Sequence, residues 1–186
     1  MADVSPALNA LYQGRRDEGL RLLPAEPDVF EAAAFGLEER LAELVRSRPE
    51  TARAVAPDDF TPLHLAAFFG RAGAVRILLD AAALVDATAS NSFLDRVQPL
   101  HSAAANGDLE CCRLLLEAGA DVDARQGGGF TPLMAAAQAG NVELVKLFLD
   151  AGADPTVAGA DGTTAAALAE AGGHRAVLAD LEGTPG

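Results

Sequence analysis

Gly127, Gly128 and Gly129 run directly into what reads as a helix start, GGGFTPLMAAAQAG (127–140). Backbone N–H groups of a glycine loop that opens a helix can hold a phosphate. A nucleotide loop of the Gly-Lys-Ser/Thr type also needs a lysine, and Lys146 is the only one in the chain. A dinucleotide fingerprint needs an apolar strand before the glycines, but Ala-Asp-Val-Asp-Ala-Arg (120–125) stands there. Pro132 removes a further N–H donor. These glycines are therefore predicted to turn the chain, with Gly129, Asp59 and Gly162 at equivalent positions where positive φ is required or tolerated.

Other candidate chemistry is sparse. His64 and His101 both follow Pro-Leu and invite comparison with a metal pair, but a metal holds nitrogens at about 2 Å and no third ligand aligns with them. His174 follows Gly173 and is expected to face solvent. Cys111 and Cys112 are adjacent, which excludes a disulfide framework or a Cys-x-x-Cys knuckle and reads as two small buried hydrophobes. Asp58-Asp59 lies in a loop, and no Ser/His/Asp arrangement has local support. No catalytic, cofactor-binding or metal-ligating residue is assigned.

The bulk properties narrow the partners. The 186 residues carry a formal net charge of -13, which disfavours nucleic acid and anionic membrane because phosphate neutralisation needs clustered Lys and Arg. The N-terminus lacks a basic segment followed by an apolar stretch, and no run of about 18 apolar residues occurs. A soluble protein of a reducing, cytoplasmic compartment is the expectation, acting as a monomer.

The elements that position these residues come from an internal repeat. FTPLHLAAFFGRAGAVRILLDAAALVDA (60–87) recurs as VQPLHSAAANGDLECCRLLLEAGADVDA (97–124) and as FTPLMAAAQAGNVELVKLFLDAGADPTV (130–157). A weaker copy is TTAAALAEAGGHRAVLADLEG (163–183). The first segment closes at Gly70, Gly107, Gly140 and Gly173, spacings of 37, 33 and 33 residues. VFEAAAFGLEERLAELV (29–45) fits the frame with Gly36, and SPALNALYQGRRDEGLRLL (5–23) fits more loosely with Gly14.

Each unit has the signals of two short helices. Thr61 or Thr131 stands at an N-cap, and Pro62, Pro99 or Pro132 takes the first helical position, where a missing N–H costs nothing. Leu63, Ala66 and Ala67 fall on one face, and Gly70 ends the helix. A second helix follows, with Val75, Leu78 and Leu79 in one unit and Cys112, Leu115 and Leu116 in the next. Helices this short are marginal alone, so they must stack on copies of themselves as a solenoid.

The pattern Gly-x-Thr-Pro-Leu-His-x-Ala-Ala-x-x-Gly, closing with Gly-Ala-Asp-Val-Asp-Ala, resembles the ankyrin repeat. The resemblance implies an all-α solenoid of helix-turn-helix units with projecting β-hairpin-like loops, and a non-catalytic role in protein binding. It divides the chain into a degenerate N-terminal helical cap (1–27), a degenerate repeat (28–57) and a regular repeat (58–87). A repeat with a loop insertion (88–124), a further regular repeat (125–157), a C-terminal capping repeat (158–183) and a tail (184–186) follow. It also implies that His64 and His101 bridge to backbone in the neighbouring loop. Met134 stands where those histidines do, so that junction is expected to rely on packing.

The residues the repeat leaves over suggest recognition. The two variable positions before each closing glycine are expected on the concave face: Tyr12-Gln13, Ala34-Phe35, Phe68-Phe69, Ala105-Asn106 and Gln138-Ala139. Phe35, Phe68 and Phe69, with Phe60 before a helix start, are the expected apolar anchors. Asn106, Phe130 and Gln138 extend the candidate surface. The inserted loop adds Phe93, Leu94 and Arg96, either as contacts or as neutral drift.

Hairpin acids such as Asp58 and Asp95 would favour a partner protein with a basic surface. Asp86 and Asp123 are expected to hydrogen-bond their own turns instead. An inhibitor that masks a basic active site is the alternative within the binding class. An enzyme using the glycine loop or the histidines is the alternative outside it.

Overall fold

The computed structural model describes residues 4–90 and 95–183. Twelve α-helices are described, in antiparallel pairs. α1 (Pro6–Tyr12) pairs with α2 (Arg16–Leu22), α3 (Val29–Phe35) with α4 (Glu38–Ser47), and α5 (Pro62–Phe68) with α6 (Ala72–Asp80). α7 (Pro99–Asn106) pairs with α8 (Leu109–Glu117), α9 (Pro132–Ala139) with α10 (Val142–Asp150), and α11 (Ala165–Gly172) with α12 (Arg175–Glu182).

The inner helices start and stop as their sequences dictate. Side-chain oxygens of Asp28, Thr61, Thr131 and Thr164 accept N–H groups of the first turn, each satisfying a donor that the helix leaves free. Pro62, Pro99 and Pro132 occupy the first helical position. At the far end Gly107 takes φ 77° as its N–H closes back on the helix carbonyls.

From α3 onward inner helix stacks on inner helix and outer on outer. Alanines make the inner contact: Ala66, Ala67, Ala103, Ala136 and Ala137 are fully buried, and their small side chains let the helix backbones approach closely. Val75, Leu78, Leu115, Leu144 and Phe148 fill the layer between inner and outer rows. One core therefore runs without a break from Val29 to Leu181.

The loops project as hairpins closed by isolated antiparallel bridges, Ala89 with Val97, Gln126 with Phe130, and Ala158 with Thr164. The inserted residues fall inside one of these: positions 90–96 lie between Ala89 and Val97, where 127–129 lie between Gln126 and Phe130. Phe93 and Leu94 lie outside the described residues.

Neighbouring hairpin tips are tied to each other. The Gly127 N–H donates to the Asp95 carbonyl at 2.7 Å, and the Ala160 N–H donates to the Gly128 carbonyl at 2.7 Å. A β-carbon on Gly129 (φ 77°) would stand 3.3 Å from the Gly159 Cα. The three glycines thus serve a tight turn and close backbone approach between repeats. The Gly127 and Gly129 N–H groups are already taken, by the carbonyls of Asp95 and Gln126.

The histidines bridge repeats as the resemblance implies. The Thr61 N–H donates to His64 Nδ1 (3.2 Å), which places the imidazole proton on Nε2, and Nε2–H donates to the Val97 carbonyl at 3.0 Å. In the next unit the Gln98 N–H donates to His101 Nδ1, and Nε2–H reaches the carbonyls of Ala124 (3.0 Å) and Phe130 (3.3 Å). Met134 is buried in the same place, and packing takes over from those bonds.

Three further bridges depart from expectation. Asp86 and Asp123 reach across the stack instead of closing their own turns. The Asp121 N–H donates to Asp86 (3.3 Å) and the Asp154 N–H to Asp123 (3.1 Å), because each loop lies directly over the N–H of the next. His174 does not simply face solvent: its Nε2 meets the Gln138 carbonyl at 3.1 Å. Arg71 does the same in an earlier unit, with Nε donating to the Ala34 carbonyl at 3.0 Å. Both cover a carbonyl that the end of an inner helix leaves without a partner.

The N-terminal pair is placed differently. Leu8 and Leu11 of α1 form a second, smaller cluster with Ala34 and Phe35 of α3 and Leu65 of α5. Tyr12 lies against Phe69, ring centroids 5.3 Å apart, and near Phe68 at 6.2 Å. α1 therefore lies across the concave side of α3 and α5, and α2 closes over Phe35.

Two stability experiments follow from the bridges. Burial pushes the His64 imidazole down to about 4, so the folded state holds it neutral while an unfolded chain protonates it near pH 6.5. Its contribution is complete above pH 6.5 and is lost as pH falls from there towards 4, about 2 kcal/mol by pH 5. Urea melts at pH 7 and pH 5 should show this loss, and a His64→Asn variant should show a smaller difference between the two.

Met134→His should be tolerated. The Thr163 carbonyl, which accepts the Gly159 N–H, holds the place that Phe130 holds for His101. A melting temperature within about 4 °C of the parent, roughly 1 kcal/mol, is the expected result by calorimetry. A larger fall would contradict the equivalence of the two positions.

Candidate functional site

Side chains one turn apart on a helix share a face. On the inner helices the residues at 65, 102 and 135 therefore stand beside those at 68, 105 and 138, and 69, 106 and 139 follow along one edge. α1 covers the beginning of this face. Beyond it a groove of about 430 Å³ opens across α5, α7 and α9. Its floor is small, made by Ser102, Ala105, Ala135 and Ala139, and its walls are Phe68 and the hairpin residues Phe60, Val97 and Phe130.

Two amides, Gln126 and Gln138, supply polar groups in the lining, and no lining residue is charged. Phe60 is held edge-on to the His64 ring, centroids 5.5 Å apart, so the bridging histidine also sets one wall. Phe68 stands edge-on to Phe69 at 5.0 Å and keeps 42% of its surface exposed. A phenylalanine that exposed, over a floor of alanines, offers a large apolar contact whose own position is already constrained.

The sequence-predicted residues divide on this surface. Phe60, Phe68, Phe130 and Gln138 come together in the groove. Asn106 is exposed next to it at the end of α7. Arg96 is exposed on the hairpin, with φ 55°, and its N–H donates to Ser90 Oγ at 2.9 Å.

Phe35 is a correction, being 2% exposed. A β-carbon at Gly19 would stand 2.7 Å from its ring, so α2 lies directly on it and Phe35 is core. Phe69 is half-buried against Tyr12 and belongs as much to the seat of α1 as to the groove.

Ser102, Ala105, Ala135 and Gln126 are among the lining residues that the choice of anchors passed over. The first and third sit three residues before a variable position, a spacing visible in the repeat. Gln126 reaches the groove only because its hairpin folds back over the inner helices.

The other candidate chemistry is absorbed by the fold. Burial pushes the Cys112 thiol up to about 12 and raises Cys111 as well, where Asp108 adds to the effect, so both side chains are inert fillers of α8. Burial lowers His101 as it does His64, and both rings spend their nitrogens on backbone groups. Among the described residues no three His, Cys, Asp or Glu side chains gather where one metal ion could sit. No helix among them is long and apolar enough to cross a membrane.

A family model of ankyrin repeats (three copies) matches residues 29–126 and 100–181. None of the curated proteins matches the chain. Ankyrin repeats are generally protein–protein interaction modules. The match extends from α3 to α12, the same helices that share the continuous core, and the chain belongs to the ankyrin-repeat family.

Proposed function

We propose that the open part of the concave face binds a segment of another protein, and that the chain acts by recognition rather than catalysis. The observation that carries this reading is the groove of α5, α7 and α9, with exposed Phe68 over a floor of Ser102, Ala105 and Ala135. Covering the 42% of Phe68 that remains exposed contributes about 1 kcal/mol, and truncating it adds the cost of the cavity left against the partner. The helices and tied hairpins already hold the surface in shape, so little order has to be imposed on binding.

A net charge of -13 would steer a partner whose surface is basic. In this reading the chain works as a monomer in the cytoplasm, with both cysteines reduced. His64 and His101 spend both ring nitrogens inside the stack and the thiols are buried, which supports the reading of the surface as one of recognition.

Phe68→Ala tests the anchor and disturbs the seat of α1 less than Phe69→Ala would, since Tyr12 lies closer to Phe69. Affinity capture from the source cell, followed by mass spectrometry, should yield a protein retained by the parent chain. Phe68→Ala should bind that protein at least tenfold more weakly, about 1.4 kcal/mol, with its melting temperature within a few degrees of the parent. Unchanged affinity of the folded variant would remove Phe68 as the anchor.

A further inference from the structure

We infer that the occupant of the groove is an amphipathic α-helix with an Ala/Leu face and a basic solvent side, docked as a continuation of α1. The inference rests on the reading of the groove as a protein-binding surface.

α1 shows what this face accepts. Its Ala7, Leu8 and Leu11 are 8% exposed or less, packed on α3 and α5 through the concave-face residues Phe35 and Leu65. The open groove uses the equivalent positions of the following repeats, with Ser102 and Ala135 in the place of Leu65. α1 and the groove meet at the rings of Tyr12 and Phe68. One continuous surface is therefore helix-covered over its first part and open over the rest.

Three properties of the open part fit a helix. Its small floor lets a helical backbone come close, as the alanines do inside the stack. The uncharged lining suits a face of Ala and Leu. Three inner helices spaced about 10 Å apart span roughly 20 Å, which about 13 helical residues cover at 1.5 Å each.

An extended strand fits less well, because it binds by pairing with a free backbone edge. The hairpin tips spend such groups on each other: the Gly127 N–H goes to Asp95 and the Gly128 carbonyl to Ala160. The net charge of -13 sets the sign expected on the helix's outer side.

The test uses the full chain and two fluorescein-labelled peptides of about 14 residues. One repeats the Ala/Leu spacing of α1 with Lys on the opposite face, and the other has the same composition in strict alternation. Fluorescence anisotropy reads binding. Ala105→Glu blocks the groove at an exposed helical site that tolerates Glu, and Ala176→Glu controls for charge on exposed α12.

The helical peptide should bind the parent and the Ala176→Glu chain alike, and at least tenfold more weakly the Ala105→Glu chain. Preferred binding of the alternating peptide, lost in Ala105→Glu, would overturn the helix while leaving the groove in place. Binding of the helical peptide that ignores Ala105→Glu would overturn the groove and the inference together. No binding of the helical peptide up to about 1 mM would overturn the inference.

Discussion

The inner helices are seven or eight residues long, and a helix of that length in water cannot recover the cost of its own nucleation. Everything else in the molecule answers to this constraint. Alanine rows let each inner helix come close to the next, and Val, Leu and Phe fill the space behind them. A unit gains its stability only across the interface with its neighbours, so each interface must also satisfy the polar groups that short helices leave open at their ends.

Those polar groups are handled by a small set of side chains that reach across one interface. His64 and His101 join a helix start to the next hairpin, and Asp86 and Asp123 join one loop to the next. Arg71 and His174 cover the last carbonyls of the preceding inner helix. The hairpin tips add backbone bonds of their own through Gly127 and Gly128. Where Met134 replaces histidine, the junction loses polar contact and keeps apolar burial. The rigidity of the concave face is a by-product of these links.

That face is not uniform, because the N-terminal pair does not stack like its successors. α1 lies over positions that later repeats leave open, and its small cluster converts Phe35 from a surface aromatic into core. The same placement exposes Phe68 at the boundary between the covered and open parts. The open part of the concave face is thus defined by where an intramolecular helix ends as well as by the repeat.

The repeat, the helix starts at Thr-Pro, the closing glycines and the inert cysteines were all legible in the chain, because each depends on residues in fixed register within one unit. The bridging role of His64 and His101 came from the family resemblance, since their carbonyl partners lie in the next unit. The place of Phe68 on the open face was legible from its register before Gly70. The fates of Phe35, His174, Asp86 and Asp123 were not. Each is decided by a neighbouring unit whose distance in space no periodicity states: Gly19 lies on Phe35, Gln138 offers its carbonyl to His174, and the next loop brings an N–H to each aspartate. Local spacing determined the units and how they stack. Only packing between units decided which parts of the concave face remain open, since exposure depends on what comes to lie above a residue and not on the residue itself.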